Sequence, residues 1–218
     1  MDFWERKKNL LMDKFLDLTK AEAKKITRFV LGIDPGPVHL GLCKISVTTK
    51  KIIDMMCISM REENEKVTRN ELCERLMEYI QLHKEWFDEC DLVIIEEQFK
   101  GEENKIIQIA FFSALYPKCK LVNATVIKNL LFDYVRETSL VTDIALNDYS
   151  GNYYKKKLYV LLGRKLIKRF DSERVPFFKR KEITHHEYDA YVLGIIFLIY
   201  LEQSNVIVHK EFIDLTNE

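Results

Sequence analysis

Short apolar runs alternate with longer amphipathic stretches along this chain of 218 residues. Apolar runs of strand length are predicted at 27–34, 40–48 and 51–60, and their close spacing predicts an antiparallel meander. A later run, 91–95, is almost continuously apolar, which is typical of a central strand that is buried on both faces. One more short strand is predicted at 119–123.

Helical periodicity fills most of the remaining sequence. Thr19 and Glu22 form a capping-box pattern that predicts the start of a short helix. Thr184 is predicted to cap a final, buried helix that ends at Leu201. The other predicted helices cover 3–18, 62–89, 103–115, 124–137 and 154–170. From the first strand onward the order is βββ-α-β-α-β-α-α, which predicts an α/β protein with a mixed sheet between helices, although periodicity does not give the strand order.

The composition indicates one globular domain with an appendage. Gly and Pro are scarce, at 7 and 4 residues, so linkers and low-complexity segments are not expected. Five cysteines without a CxxC pair indicate thiols in a reducing compartment, and neither a zinc site nor a disulfide framework. The apolar run 191–200 is too short to cross a bilayer, and the acidic residues near the N-terminus argue against a signal peptide.

Charge is unevenly distributed although the formal net charge is zero. The segment 155–181 holds eleven Lys or Arg residues and two acidic ones, whereas 54–103 holds fifteen acidic and six basic residues. A positive stripe on a neutral protein follows from this pattern, and such a stripe can bind nucleic acid.

Two carboxylates end two of the predicted strands. Asp34 closes the first strand and is followed at once by Pro35 and Gly36, which favour a tight turn. Glu96 directly follows the central run 91–95. If these two strands are parallel neighbours, their carboxyl ends meet where α/β proteins place ligands. Taken singly, however, Asp34 could cap the turn and Glu96 could be a surface residue.

The final helix begins with His185, His186 and Asp189, whose i, i+3 and i, i+4 spacing puts them on one face. Glu187 is predicted to lie on the opposite side. Carboxylates with an imidazole suit Mg²⁺ or Mn²⁺, and two such ions about 4 Å apart can activate a water and stabilise a leaving oxygen. The alternative is an exposed first turn that binds nothing.

Three motifs together resemble a known family. They are the GIDPG stretch 32–36 with Gly41, the IIEEQ stretch 94–98, and the HEYDA stretch 186–190. In this order they are similar to the RuvC-type Holliday junction resolvases of the RNase H-like superfamily, closest to the poxvirus and mitochondrial branches. The resemblance spans about 28–201. It implies an RNase H-like domain at 27–202, with three antiparallel strands followed by two parallel ones, preceded by a helical extension at 1–26 and followed by a tail at 203–218.

The resemblance also implies a catalytic, metal-binding set. Asp34 matches the first metal ligand of the family, Glu96 the second and Asp189 the last. His186 stands where the family more often has Asp, and His185 stands where the poxvirus branch has a further Asp. Two Mg²⁺ or Mn²⁺ ions per site are therefore expected, and His186 is included among the ligands, with His185 as a further candidate.

Basic residues are expected to bind the DNA. By resemblance, Lys128 occupies a position that approaches DNA, and 155–157 match a basic helix start in the viral branch. The alternative for the lysine run is a solvated face. Stacking on the bases of an opened junction is considered for four aromatic residues, with ordinary packing as the alternative: Tyr153, Tyr154, Phe177 and Phe178. The complete predicted DNA-binding set is Lys128, Lys155, Lys156, Lys157, Arg164, Lys179, Arg180 and Lys181.

The expected activity is that of a metal-dependent endodeoxyribonuclease that resolves four-way junctions by paired symmetric nicks. The resemblance implies a homodimer that binds branched DNA and does not associate with a membrane. Its expected location is a viral replication site in the cytoplasm, or else the mitochondrion or nucleus. Three alternatives stay open: another RNase H-like nuclease, a sugar-kinase or actin-like ATPase, and a catalytically weak DNA-binding relative. The ATPase is disfavoured because no second phosphate motif is visible.

Overall fold

The computed structural model describes residues 20–138, 152–175 and 184–203, with the backbone alone at residue 20, 136–137, 152–159 and residue 203. The predicted helix at 3–18, residues 139–151, Phe177 and Phe178, and the C-terminal tail beyond residue 203 lie outside these described residues. The same holds for Lys179, Arg180 and Lys181.

Seven α-helices and five strands make up the described part of the chain. In order they are α1 (Lys20–Ala23), β1 (Phe29–Asp34), β2 (Leu40–Ser46), β3 (Ile52–Ile58), α2 (Arg69–Leu82), α3 (Lys84–Asp88), β4 (Leu92–Glu97), α4 (Glu102–Leu115), β5 (Cys119–Asn123), α5 (Ala124–Thr138), α6 (Asn152–Phe170) and α7 (His185–Gln203), with a 3₁₀ turn at Ser172–Arg174 before α7.

The strands form one mixed sheet in the order β3-β2-β1-β4-β5. The pairs β1–β2 and β2–β3 are antiparallel, whereas β1–β4 and β4–β5 are parallel. The predicted fold class, with three antiparallel strands followed by two parallel ones between helices, is therefore confirmed. Periodicity had left the strand order open, and the structure places β1 and β4 side by side.

Helices cover both faces of the sheet because its side chains alternate between two apolar clusters. Val30 and Ile94 point to the face that is covered by α5, α6 and α7. Leu31, Val93 and Ile95 point to the opposite face, which is covered by α2, α3 and α4. Since β4 is buried on both sides, its continuous apolar run is explained.

Helix α7 lies directly against the sheet. A Cβ atom on Gly32 would come within 2.1 Å of the carbonyl oxygen of Ala190, and one on Gly194 within 2.8 Å of the Ile45 side chain. Every residue from Ala190 to Leu201 is buried. Glycines at these contacts let the helix approach β1 and β2 closely, which brings the start of α7 to the end of β1.

The prediction of one long helix over 62–89 is wrong. Helix α2 begins only after Thr68, because the side chains of Thr68 and Glu71 form a reciprocal capping box. Before it, the Arg61 guanidinium donates to the carbonyl groups of Glu62 and Glu63, which holds that segment in a compact loop. The helix ends at Leu82, and the short α3 begins at Lys84 after the capping residue His83.

Other boundaries differ slightly from the predictions. Strand β4 continues through Glu96 and Glu97, so the motif lies on the strand itself and does not follow it. All five cysteines are free, and Cys43, Cys90 and Cys119 are buried, as the sequence predicts. Within the described ranges, no helix combines the length and the apolar character that crossing a bilayer requires.

Candidate metal centre

The parallel pairing of β1 and β4 brings Asp34 and Glu96 to one edge of the sheet. Gly32 is paired with Ile94 and Ile33 with Ile95, so the next residues along the two strands are Asp34 and Glu96. Each lies two residues beyond a position that faces α7, Gly32 on β1 and Ile94 on β4, and side chains at that spacing share one face of a strand. The two carboxylates therefore converge on the side of the sheet where α7 begins.

Thr184 and Glu187 fix the first turn of α7. The backbone N–H of Thr184 donates to Oε2 of Glu187 at 2.9 Å, and the Glu187 side chain is almost completely buried. This is the contact by which an N3 glutamate satisfies a free amide at a helix start. Glu187 thus has a structural part in the turn that carries His186 and Asp189.

Gly41 allows that turn to reach the sheet. It is the antiparallel partner of Asp34, and a Cβ atom there would come within 2.2 Å of the carbonyl oxygen of His186. The contact is with backbone, which cannot rotate away. The absence of a side chain at Gly41 therefore sets the distance between His186 and Asp34.

Asp34, His186 and Asp189 form a cluster whose ligand atoms all lie within 4.8 Å of one another. Nδ1 of His186 is 2.7 Å from Oδ2 of Asp34. The two side chains are 22% and 13% exposed respectively, so the cluster is partly shielded yet reachable from solvent. A hydrogen bond from Nδ1 leaves the other imidazole nitrogen and the other carboxylate oxygen with lone pairs that can bind a cation.

Glu96 lies beside this cluster but is not one of the three residues whose ligand atoms group together. Burial, together with the negative charge of Asp34, raises the pKa of Glu96 to about 8. A buried carboxyl group whose ionisation is disfavoured by a neighbouring carboxylate is typical of a site that a positive charge would stabilise.

The donor set fits a divalent cation. Ligands bound to one Mg²⁺ at about 2.1 Å lie roughly 3–4 Å apart, so a group within 4.8 Å needs only small side-chain adjustments. Two carboxylates and one imidazole match the preferences of Mg²⁺ and Mn²⁺. A cation there would also relieve the repulsion between Glu96 and Asp34.

Two further histidines line the centre. The ring of His185 lies 3.9 Å from that of His186, measured between centroids, but His185 is not part of the three-residue ligand group. His39 stacks on His186 with centroids 5.1 Å apart and an angle of 26° between the rings. The sequence does not predict a role for His39, because a hairpin tip carries no periodic signal and the stack depends on where α7 meets the sheet.

An exposed aromatic side chain, Phe99, follows β4 directly and was also missed. It is 59% exposed in a loop that its neighbours hold in place. The Gln98 N–H donates to Oε1 of the buried Gln108 at 2.6 Å, and Gly101 adopts a positive φ of 79° just before α4. The signal in the sequence was a lone Phe between a strand end and a glycine.

The predicted DNA-binding residues are only partly described. The ammonium group of Lys128 lies 5.3 Å from the centre of the Phe132 ring. Arg164 is exposed, yet its Nε donates to the Tyr188 hydroxyl at 3.3 Å, so it also packs on α7. Lys155, Lys156 and Lys157 lie on α6, in the part where the backbone alone is described.

Comparison by sequence identifies no relative, since no family model and no curated protein matches the chain. Solved structures do match. The yeast mitochondrial Holliday junction resolvase Ydc2 is similar with a TM-score of 0.62 and 13% identity, covering 91% of this chain and 87% of its own.

Two further matches are structures with Holliday junction DNA. RuvC of T. thermophilus has a TM-score of 0.53 and 16% identity, over 82% of this chain and 97% of its own. The fowlpox virus resolvase has a TM-score of 0.53 and 13% identity, over 79% of this chain and 98% of its own. At these identities the likeness establishes the fold.

Proposed function

We infer that this chain, which has the RNase H-like fold of the RuvC-type Holliday junction resolvases, is a junction-resolving nuclease, and we propose that it cuts four-way DNA junctions by paired symmetric nicks. One observation carries the proposal: Asp34, His186 and Asp189 converge within 4.8 Å at the edge where β1 and β4 end, with Glu96 beside them. A structural protein has no need to hold partly buried carboxylates together at one edge.

Divalent cations bound here would supply Lewis-acid chemistry, polarising the phosphoryl oxygen and lowering the pKa of water. Asp34, which contacts His186 and whose charge acts on Glu96, is proposed to bind both ions. Asp189 is proposed to share with it the side from which water attacks. Glu96 and His186 are proposed to lie nearer the leaving 3′ oxygen. The chain's own contribution would be to orient the scissile phosphodiester at this partly shielded site.

The imidazole distinguishes this donor set from an all-carboxylate one. Mg²⁺ prefers oxygen ligands, whereas Mn²⁺ accepts nitrogen more readily. We therefore propose that either ion supports cutting and that Mn²⁺ supports it better. His185 is proposed to stay outside the ligand set, because His186, and not His185, contributes to the cluster.

Substrate binding is proposed to combine phosphate contacts with base stacking. Lys128, Arg164 and the basic stretch 155–157 would neutralise phosphates, and so would Lys179, Arg180 and Lys181. Phe99 is exposed in the loop after β4 and is proposed to stack on a base that is unpaired at an opened junction. A homodimer is proposed because two symmetric nicks need two centres related by a two-fold axis, as the junction is. The proposed nuclease domain covers 27–202.

A cleavage assay tests the proposal. The full chain is incubated with an immobile four-way junction in Mg²⁺ or Mn²⁺, beside a linear duplex and an RNA–DNA hybrid of the same sequence. We expect paired nicks in the junction alone. Asp34→Asn should bind the junction but not cut it, whereas Asp88→Asn, a change of the same kind on α3, should cut normally.

The outcomes separate the alternatives. Cutting of the hybrid in preference to the junction would assign the chain to another class of RNase H-like nuclease. Junction binding with no cutting by the unmodified chain in either ion would indicate a DNA-binding relative without catalysis. Cutting that survives Asp34→Asn would refute the assignment of the centre.

A further inference from the structure

His39 lies at the tip of the β1–β2 hairpin, and its imidazole stacks on that of His186. The centroids are 5.1 Å apart and the rings are nearly parallel, at 26°. His39 is exposed, whereas His186 is partly buried. On its other side, His186 contacts Asp34 through Nδ1 at 2.7 Å. The His186 ring is therefore held both at its edge and on its face.

The hairpin tip that carries His39 is itself anchored. A Cβ atom on Gly36 would lie 2.5 Å from the carbonyl oxygen of His39, so a glycine there allows the tight turn. The Ser59 hydroxyl donates to the carbonyl of Val38 at 2.8 Å, and the Met60 N–H donates to that of Pro37 at 2.8 Å. The position of His39 is thus fixed by the segment that follows β3.

His39 is not one of the three residues whose ligand atoms group within 4.8 Å. Its contact with the centre is the face of its ring, which limits the rotation of the His186 ring together with the His185 ring at 3.9 Å. Groups that orient a metal ligand commonly influence metal affinity as much as the ligand's own chemistry does. An imidazole whose rotation is restricted in advance loses less entropy when it binds a cation.

We propose that His39 is a positioning residue: its ring holds the imidazole of His186 in the orientation that presents a nitrogen to the divalent cation. The proposal rests on the proposed function, since it requires that a cation binds at Asp34, His186 and Asp189. The β1–β2 hairpin would then influence metal affinity in two ways, through the ligand Asp34 on β1 and through the ring of His39. What His39 supplies is a flat ring, and its nitrogens are not required.

The test measures Mn²⁺ binding by the full chain without DNA, using the loss of the free Mn²⁺ signal in electron paramagnetic resonance. Four proteins are compared with the unmodified chain: His39→Ala, His39→Phe, His39→Asn and Asp34→Asn. Phe keeps the flat ring without nitrogen, and Asn keeps a polar group without the ring. Thermal unfolding of each protein checks that it is folded.

Loss of an aromatic pair corresponds to about a 2- to 12-fold change in an equilibrium constant. We therefore expect His39→Ala and His39→Asn to weaken Mn²⁺ binding by such a factor, and His39→Phe to stay within about twofold of the unmodified chain. The proposal is overturned if His39→Ala binds as tightly as the unmodified chain. It is also overturned if His39→Phe is as weak as His39→Ala, because a nitrogen would then be required.

Asp34→Asn separates this result from the proposed function. If the unmodified chain and Asp34→Asn bind Mn²⁺ equally, the metal centre itself is refuted, and the positioning proposal with it. If only Asp34→Asn loses binding while all three His39 variants keep it, the centre stands and the part assigned to His39 is refuted.

Discussion

Gly41 is paired with Asp34 across the β1–β2 ladder, and the carbonyl oxygen of His186 occupies the space where a side chain on Gly41 would begin. The sheet carboxylate and the helix imidazole are neighbours because the residue opposite the carboxylate has no side chain. The geometry of the centre therefore depends on a residue that supplies no functional group.

Gly41→Ala is expected to separate α7 from β1. The new Cβ would lie 2.2 Å from a backbone oxygen, so the helix start must shift. Overpacking of this kind costs about 1–3 kcal/mol of unfolding free energy. We expect that loss in urea denaturation, together with Mn²⁺ binding weakened at least tenfold in the same spectroscopic titration.

Gly163→Ala is the matched control. A Cβ there would meet the Tyr188 ring at 2.7 Å, and a side chain can move where backbone cannot. The same substitution also favours the α6 helix. Metal binding should stay within twofold of the unmodified chain. An equal loss of Mn²⁺ affinity in both variants would mean that general loosening of α7, and not the contact at Gly41, is responsible.

The raised pKa of Glu96 predicts a pH-dependent stability in the absence of metal. Its pKa is about 8 in the folded chain against an ordinary value of 4.5. The protonated form therefore contributes stability that is fully present below pH 4.5 and is lost as the pH rises through 8. In EDTA, the free energy of unfolding should fall more steeply between pH 5 and 9 for the unmodified chain than for Glu96→Gln.

Glu97→Gln supplies the comparison, since it removes the same charge from the next residue of β4. Its pH profile should run parallel to that of the unmodified chain. Urea denaturation at intervals of one pH unit measures both variants. Profiles for Glu96→Gln and the unmodified chain that coincide throughout would contradict the assignment of the raised pKa to Glu96.

Phe99→Ala is expected to reduce junction cutting while leaving metal binding unchanged. The side chain is exposed in the loop that follows β4, the strand that carries Glu96, and stacking on one base contributes about 1–3 kcal/mol. The loss should appear in junction affinity, measured by gel shift in Ca²⁺, as roughly a 5- to 150-fold change. Phe99→Trp should keep the junction affinity of the unmodified chain, because it keeps an aromatic ring. Junction affinities that do not follow the size of the ring at position 99 would count against stacking.

Lys128→Ala should weaken junction binding and reduce the dependence of binding on salt. Removing one phosphate contact lowers the slope of log K against log salt by about 1. Arg164→Ala should lower the slope similarly and also destabilise the fold, because its guanidinium contacts Tyr188. A slope that Lys128→Ala leaves unchanged would exclude Lys128 from the phosphate contacts.

The convergence of the two strand carboxylates could be predicted because it follows from two local facts. Asp34 and Glu96 each end an apolar run, and strands that are parallel share their carboxyl edge. What the sequence did not contain was the pairing of β1 with β4, which depends on contacts between segments about 60 residues apart.

His39 and the break at His83 show where sequence reasoning failed. The apolar spacing of 62–89 continues through His83, so periodicity alone predicts one helix, whereas the capping interactions at Thr68 delay its start. The role of His39 could not be predicted, because its stack on His186 joins residues that are far apart in the sequence. The contact follows only from the placement of α7 on the sheet.

Helix α7 carries the centre at one end and is buried from Ala190 to Leu201. The amides of a helix enclosed in this way open to solvent only when the whole domain unfolds. His186 and Asp189 lie on this helix, so we expect them to stand at the edge of a slowly exchanging unit. Heat inactivation should consequently coincide with the global unfolding transition and should not precede it.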